Sequence, residues 1–326
     1  MALLDQVYQK AQSKKIPLGI QFDLTYRCHQ GCLHCYLPEA WRRGEGPGPE
    51  LTAPRIKSIL PQLAAAGAFF LAFSGGEIFL RPDLLTILEE ARRLNFSITL
   101  ITSGTLGLDE DKIRHLAELG LEAVMLSIYS LKPPVHDGIT ARPGSWEKLW
   151  QTINTCRSRG LLVVFNCFAL SPNYPGIVAL KQFADREGIP FRLDGTLTPR
   201  WDGRPHPPGL ALPREVMTRL YQETGWDEEE ERRQGCPSVT PELEFPDCGA
   251  ASNTCYFTPQ GEIWPCIEVP YPCGHLQPEE EFLTLWEDSP GFREVRQLQR
   301  QCPPEEKFCD FCQRVDQKKP NILVQV

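Results

Sequence analysis

Between Ile20 and Thr196 the chain alternates strand-forming and helix-forming stretches without a break, and no other feature constrains its fold as strongly. "IQFDLTY", "FFLAFSGG", "SITLITSG", "AVMLSIYS", "LLVVFNCFAL" and "PFRLDGT" are short runs rich in β-branched and aromatic residues. The stretches between them carry helical periodicity, as in "RPDLLTILEEARRLN" and "SWEKLWQTINTCRSRG". One helix is expected to start at Thr52 and end at Gly67, with Pro61 as a disturbance inside it. Apolar strands separated by helices predict a parallel sheet covered on both faces, with right-handed crossovers. A barrel, or part of one, and a doubly wound open sheet share this pattern, and periodicity alone does not choose between them.

The first strand runs straight into "TYRCHQGCLHCY", where Cys28, Cys32 and Cys35 fall within eight positions. Three soft thiolates suit zinc or an iron–sulfur cluster. A structural zinc site takes four protein ligands, so His29 or His34 would have to complete it. Three cysteines on a four-iron cubane would leave one iron without a protein ligand, which is what chemistry at the metal requires. The 326-residue chain has 13 cysteines, no secretory h-region and no long apolar run, which predicts a cytoplasmic protein using thiols for metal or redox chemistry. A net charge of -8 argues against a sequence-independent hold on nucleic-acid phosphates.

The cysteine loop after one strand and "SGGE" (Ser74 to Glu77) after the next resemble the radical S-adenosylmethionine superfamily over about residues 18–196. The resemblance implies an α/β fold, a partial (β/α)6 barrel of TIM type, with a [4Fe-4S] cluster on Cys28, Cys32 and Cys35. It also implies S-adenosylmethionine on the open iron, cleaved to a 5′-deoxyadenosyl radical that abstracts hydrogen. Gly75 and Gly76 let backbone approach the ligand, and Glu77 is implied to meet its amino group. Ser103, in "TSG", stands where relatives often have Asn near the ribose. Ser127 and Asn166 end later strands and are further contacts for the ligand, and Arg142 is the basic residue expected at its carboxylate. Loop capping explains Ser103, Ser127 and Asn166 about as well, and a plain surface arginine explains Arg142 better. His34 takes the place of a flat side chain between the last two cysteines, shielding the cluster or facing the adenine. Cys156 and Cys167 are expected to be core thiols. Asp194 closes the sixth strand and is the candidate catalytic carboxylate; the competing reading is a turn cap before Gly195.

After Thr196 the character changes. Residues 198–235 read as a Pro/Gly-rich linker with an acidic run at Asp227 to Glu231, a surface feature or an attraction for a basic leader. Residues 236–326 read as a small cysteine-rich, metal-organised domain. Cys248, a hairpin turning at Gly261, and Cys266 resemble the start of a SPASM extension, with Cys255 as an added ligand and "FLTLWEDSPGFREVR" as the following helix. Cys273, Cys302, Cys309 and Cys312 complete the candidate ligands, and with Cys236 they permit one or two auxiliary [4Fe-4S] clusters. A zinc site built partly on Cys309 and Cys312 is the alternative.

The resemblance implies peptide or protein modification, with a low-potential donor such as flavodoxin or ferredoxin. Cofactor or tetrapyrrole biosynthesis is the alternative within the class, and a non-catalytic metal-binding or redox-sensing protein the alternative outside it. Residues 1–18 predict one helix packed on the barrel. They are too few for a leader-binding domain, so a peptide substrate is expected to come with a separate recognition protein or to bind directly. No nucleic-acid or membrane partner is expected.

Overall fold

The computed structural model describes residues 3–225 and 249–300. Six strands form the frame: β1 (Gly19–Thr25), β2 (Phe70–Gly75), β3 (Ser97–Thr102), β4 (Ala123–Ser127), β5 (Val163–Phe168) and β6 (Phe191–Asp194). Every neighbouring pair among them is parallel, and they lie in strictly sequential order. A doubly wound sheet reverses its strand order near the middle. This one does not, so the strands trace the arc of a partial barrel, as the resemblance implies.

The helices are α1 (Leu3–Lys14), α2 (Glu39–Arg42), α3 (Ala53–Ala65), α4 (Leu84–Arg93), α5 (Glu110–Leu119), α6 (Pro133–Thr140), α7 (Ser145–Ser158), α8 (Tyr174–Arg186) and α9 (Arg214–Thr224). α6 was not legible as a helix; Gly138 and the β-branched residues around it hide it, and Pro133 and Pro134 start it. α3 runs through Pro61 unbroken. An interior proline costs about 3 kcal/mol. Ile56, Ile59, Leu60 and Leu63 are each at most 1% exposed on the same helix, and their burial at about 2 kcal/mol apiece outweighs it.

The strands are not uniformly apolar. Ile20, Phe22, Leu71, Phe73, Ile98, Leu100, Val124, Leu126, Phe165 and Leu193 face the helices and are buried. The alternate positions turn inward and include Gln21, Asp23, Ser74, Ser127, Asn166, Arg192 and Asp194. One face is therefore core, and the other lines a polar interior.

The C-terminal part joins the same sheet. β7 (Thr254–Phe257) pairs parallel with β1, and β8 (Glu262–Trp264) and β9 (Gly274–His275) extend it antiparallel, giving nine strands. Gly261, with φ +95, makes the β7–β8 turn expected of it. The tail helix is two helices, α10 (Phe282–Asp288) and α11 (Pro290–Arg300). Phe257 stacks on Phe22 at 5.0 Å, and the Trp286 indole donates to the Lys15 carbonyl at 2.6 Å, so this part packs directly on the barrel. The Pro/Gly-rich stretch is tied down as well: Trp201 N–H donates to the Tyr36 carbonyl at 3.0 Å, and Thr198 Oγ1 donates to Glu268 at 2.6 Å. The acidic run at Asp227 to Glu231 lies outside the described residues.

Candidate active site at the barrel mouth

The cysteine loop leaves β1 at its carboxyl end and is held by backbone. Cys28 N–H donates to the Arg42 carbonyl, Gly31 N–H to Thr140 and Leu33 N–H to Ile139, all at 2.9 to 3.0 Å. α2 and the end of α6 thus brace the loop from two sides. Cys28, Cys32 and Cys35 are half-buried, and no two of them form a disulfide. Burial, then the charge of neighbouring cysteines, pushes the Cys32 thiol well above its ordinary range. Burial lifts Cys28 to about 12 and raises Cys35, while Arg42 pulls in the other direction. Three desolvated thiols that repel one another as thiolates are a donor set that a cationic centre stabilises.

The end of β2 meets this loop. Gly75 has φ +139, and a Cβ there would stand 2.2 Å from the Thr25 carbonyl oxygen. A Cβ on Gly76 would stand 2.3 Å from Arg27 O and 2.5 Å from Tyr26 O. The two glycines are therefore required first for seating β2 against the cluster loop. Glu77 is fully buried. Its Oε1 accepts from Thr102 Oγ1 at 2.6 Å and Phe79 N–H at 3.3 Å, and its Oε2 accepts from Ser103 N–H at 3.1 Å and from the Ser103 hydroxyl. Burial raises its pKa and these hydrogen bonds oppose the rise. All four acceptor positions are filled from within the protein, so a ligand amino group would take the place of the Ser103 hydroxyl.

The remaining strand ends converge on the same opening. Ser127 pairs with Asn166 in register, and Asn166 with Arg192. Asn166 is buried and its Oδ1 accepts from no donor among the described residues. Tyr129 hydroxyl meets His34 Nε2 at 3.3 Å, and Phe168 packs on the His34 ring at 4.9 Å. Burial lowers His34 to a pKa of about 4, and its Nδ1 is buried without a partner. It is thus a flat, neutral ring between Cys32 and Cys35. Arg142 is exposed just past α6, and its charge helps burial to lower His29 to about 4. Asp194 turns inward on β6. Its Oδ1 accepts from Thr196 N–H at 2.9 Å, and Oδ2 lies 3.9 Å from Arg192. The turn-cap reading and the inward placement therefore both hold, and burial raises its pKa against the pull of Arg192.

In the tail, Cys255 and Cys273 are buried and Cys266 is half-buried, close enough that their charges act together on Cys273. Cys236, Cys248, Cys302, Cys309 and Cys312 lie outside the described residues. Cys156 and Cys167 sit in the apolar core, as expected.

Two groups escaped the sequence reading. Asp23 is fully buried on β1 and accepts from Tyr36 Oη at 3.1 Å and Tyr256 Oη at 2.8 Å, which ties strand, cluster loop and tail together. Burial lifts it to about 6. A carboxylate inside an otherwise β-forming run was the available signal. The second is Arg296, for which no local signal existed.

A partial parallel barrel with three thiols and unpartnered polar atoms at its mouth, extended by a second thiol group, offers soft donors suited to metal and polar groups suited to a ligand. The family comparisons are specific. Residues 22–177 match the Radical SAM superfamily, and residues 248–313 match SPASM, an iron-sulfur cluster-binding domain. The chain belongs to the radical SAM superfamily and carries a SPASM domain. Its cofactors are S-adenosylmethionine and a [4Fe-4S] cluster, with auxiliary iron–sulfur centres in the SPASM part. The thiols and orphaned polar atoms described above fit those groups.

The AdoMet-dependent heme synthase of Methanosarcina barkeri (strain Fusaro / DSM 804) is 23% identical over 86% of this chain and 85% of its own. The PqqA peptide cyclase of Xanthomonas oryzae pv. oryzae (strain MAFF 311018) is 34% identical over 167 residues, half of this chain and 44% of that enzyme. Streptococcus suis SuiB bound to its precursor peptide SuiA superposes with a TM-score of 0.69 at 16% identity, covering 93% of this chain and 72% of SuiB. The anSMEcpe enzyme with bound AdoMet and Cp18Cys peptide gives 0.68 at 15%, covering 91% and 88%. Among the described residues, no helix is long and apolar enough to cross a membrane.

Proposed function

We propose that this radical SAM enzyme modifies a ribosomally made peptide or protein in the cytoplasm. The observation that carries the reading is the 34% identity to PqqA peptide cyclase. When bound, the barrel cofactors supply hydrogen-atom abstraction. Cys28, Cys32 and Cys35 hold the cluster. Gly75 and Gly76 present backbone to S-adenosylmethionine, Glu77 receives its amino group, Arg142 its carboxylate, Ser127 its ribose or carboxylate, and Ser103 and Asn166 its ribose. Asn166 Oδ1 suits that role because it is buried with an acceptor still unfilled. Asp194, inward-facing and with a raised pKa, binds substrate or moves a proton beside it. Cys248, Cys255, Cys266, Cys273, Cys302, Cys309 and Cys312 serve the auxiliary centres. Electrons come from a low-potential donor such as flavodoxin or ferredoxin, and the peptide is presented by a separate small protein or binds this chain directly.

The heme synthase relative matches more of the chain at lower identity, which favours tetrapyrrole chemistry as the second reading. The two separate in one experiment. Anaerobically reconstituted enzyme with reductant and S-adenosylmethionine is given the short peptides encoded beside its gene, and in parallel a carboxylated tetrapyrrole. A mass change in a peptide supports the proposal. Turnover of the tetrapyrrole with no peptide altered replaces it with the second reading.

A further inference from the structure

Arg296 on α11 is a buried cation with an incomplete set of partners. The residue is 7% exposed. Its Nε donates to the Ala251 carbonyl at 2.6 Å, and its guanidinium lies 4.6 Å from the Trp286 ring centre and 5.4 Å from that of Phe292. One terminal nitrogen, Nη2, is buried and finds no acceptor among the described residues. Leaving such a donor unmade is costly, and more so for a charged group. Among the described residues, no carboxylate is bonded to it. Thiolates at Cys273 and Cys255 would act on its charge most strongly, then Glu287, with Arg293 acting in the opposite sense. The same region brings the start of α11 against Cys273: a Cβ on Gly291 would stand 3.2 Å from its Sγ, and Ser289 Oγ donates to the Cys273 carbonyl. The first turn of the eleven-residue α11 thus packs against Cys273, on the same helix that carries Arg296.

We propose that Arg296 is the counter-charge of the auxiliary centre, holding a positive charge against the group on Cys255 and Cys273 and setting its reduction potential. This rests on the assignment of those cysteines to an auxiliary centre. The aromatic pair and the Ala251 carbonyl fix the guanidinium plane, which leaves Nη2 for the thiolate or sulfide edge of the centre. A fixed cation stabilises the more negative, reduced form, so Arg296 raises the potential. It is a positioning residue and touches no substrate. The expected consequence is that the auxiliary centre accepts electrons more readily than its thiolate set alone would allow.

The test uses the full-length chain, reconstituted without oxygen in a C28A/C32A/C35A background so that only auxiliary iron remains. Paramagnetic-resonance redox titration is run with and without Arg296→Met, which fills the space over Trp286 and Phe292 without charge. The signal is first assigned by its loss in C255A/C273A; if that variant keeps every signal, the cysteine assignment itself is wrong. If the assignment holds, Arg296→Met is expected to move the assigned signal to a more negative potential, and Arg296→Lys to lie between it and the parent. An unmoved potential in Arg296→Met overturns the proposal. Should Arg296→Met lose its auxiliary iron, Arg296→Lys decides. Iron retained near the parent potential supports a role for charge, and iron lost from Lys as well shows that Arg296 acts through packing alone and overturns the proposal.

Discussion

Gly76→Ala isolates the contact that seats β2 against the cluster loop. The backbone at Gly76 is outside the left-handed region, so alanine brings no conformational strain of its own and the effect is steric. The new Cβ would stand 2.3 Å from Arg27 O, 2.5 Å from Tyr26 O and 2.7 Å from Arg27 C. All three are backbone atoms, and none can swing aside as a side chain could. Reaching normal separation moves the loop away by roughly 1 Å. That movement breaks Gly76 N–H to Thr25 O and Glu77 N–H to Arg27 O, both at 2.8 Å. Overpacking costs about 1–3 kcal/mol and each lost hydrogen bond about 1 kcal/mol, so a total of about 3–5 kcal/mol is expected. Because Arg27 adjoins Cys28, barrel iron should fall as well. Gly138→Ala is the internal control. It sits in α6 with nothing within 4 Å, and alanine there should stabilise by roughly 0.5–1 kcal/mol. The assay is urea unfolding of the iron-free chain followed by circular dichroism, with iron per chain measured after reconstitution. A Gly76→Ala protein within about 0.5 kcal/mol of wild type, the usual range of a neutral surface change, and carrying full iron would refute the reasoning.

Alanine at Cys28, Cys32 and Cys35 together should abolish cleavage of S-adenosylmethionine to 5′-deoxyadenosine while auxiliary iron, measured per chain, remains. Asp194→Asn should slow substrate modification and spare uncoupled cleavage, which product quantitation by chromatography separates; equal loss of both would point to folding. Asp23 is protonated more readily in the folded chain, at about 6 against 3.8 when unfolded, so its contribution is fully present below pH 3.8 and is lost as pH rises through 6. Relative to Asp23→Asn, wild type should therefore lose roughly 3 kcal/mol of unfolding free energy across that window. Urea titrations of the two iron-free proteins at several pH values measure the difference, and parallel curves would reject it.

Much of the barrel was legible because its signals are local. Strand and helix periods repeat within a dozen residues, so β1 to β6 could be placed, and three thiols within eight positions mark a candidate metal-binding loop wherever the chain goes next. The hairpin at Gly261 was legible for the same reason, since one residue carries the positive φ. What tertiary structure alone decided involves partners far apart in the chain. Sequential strand order, which separates an arc from a doubly wound sheet, depends on which edges pair. The joining of β7 to β1 makes one sheet of two regions, and no periodicity specifies it. Asp23 meets Tyr256 across 233 positions, and burial there, not residue type, moves its pKa. Arg296 reads in sequence as one charge on an amphipathic helix. Only the packing of α11, with the guanidinium over Trp286 and Nε on the Ala251 carbonyl, takes it out of water, and desolvation strengthens the action of a charge on its neighbours.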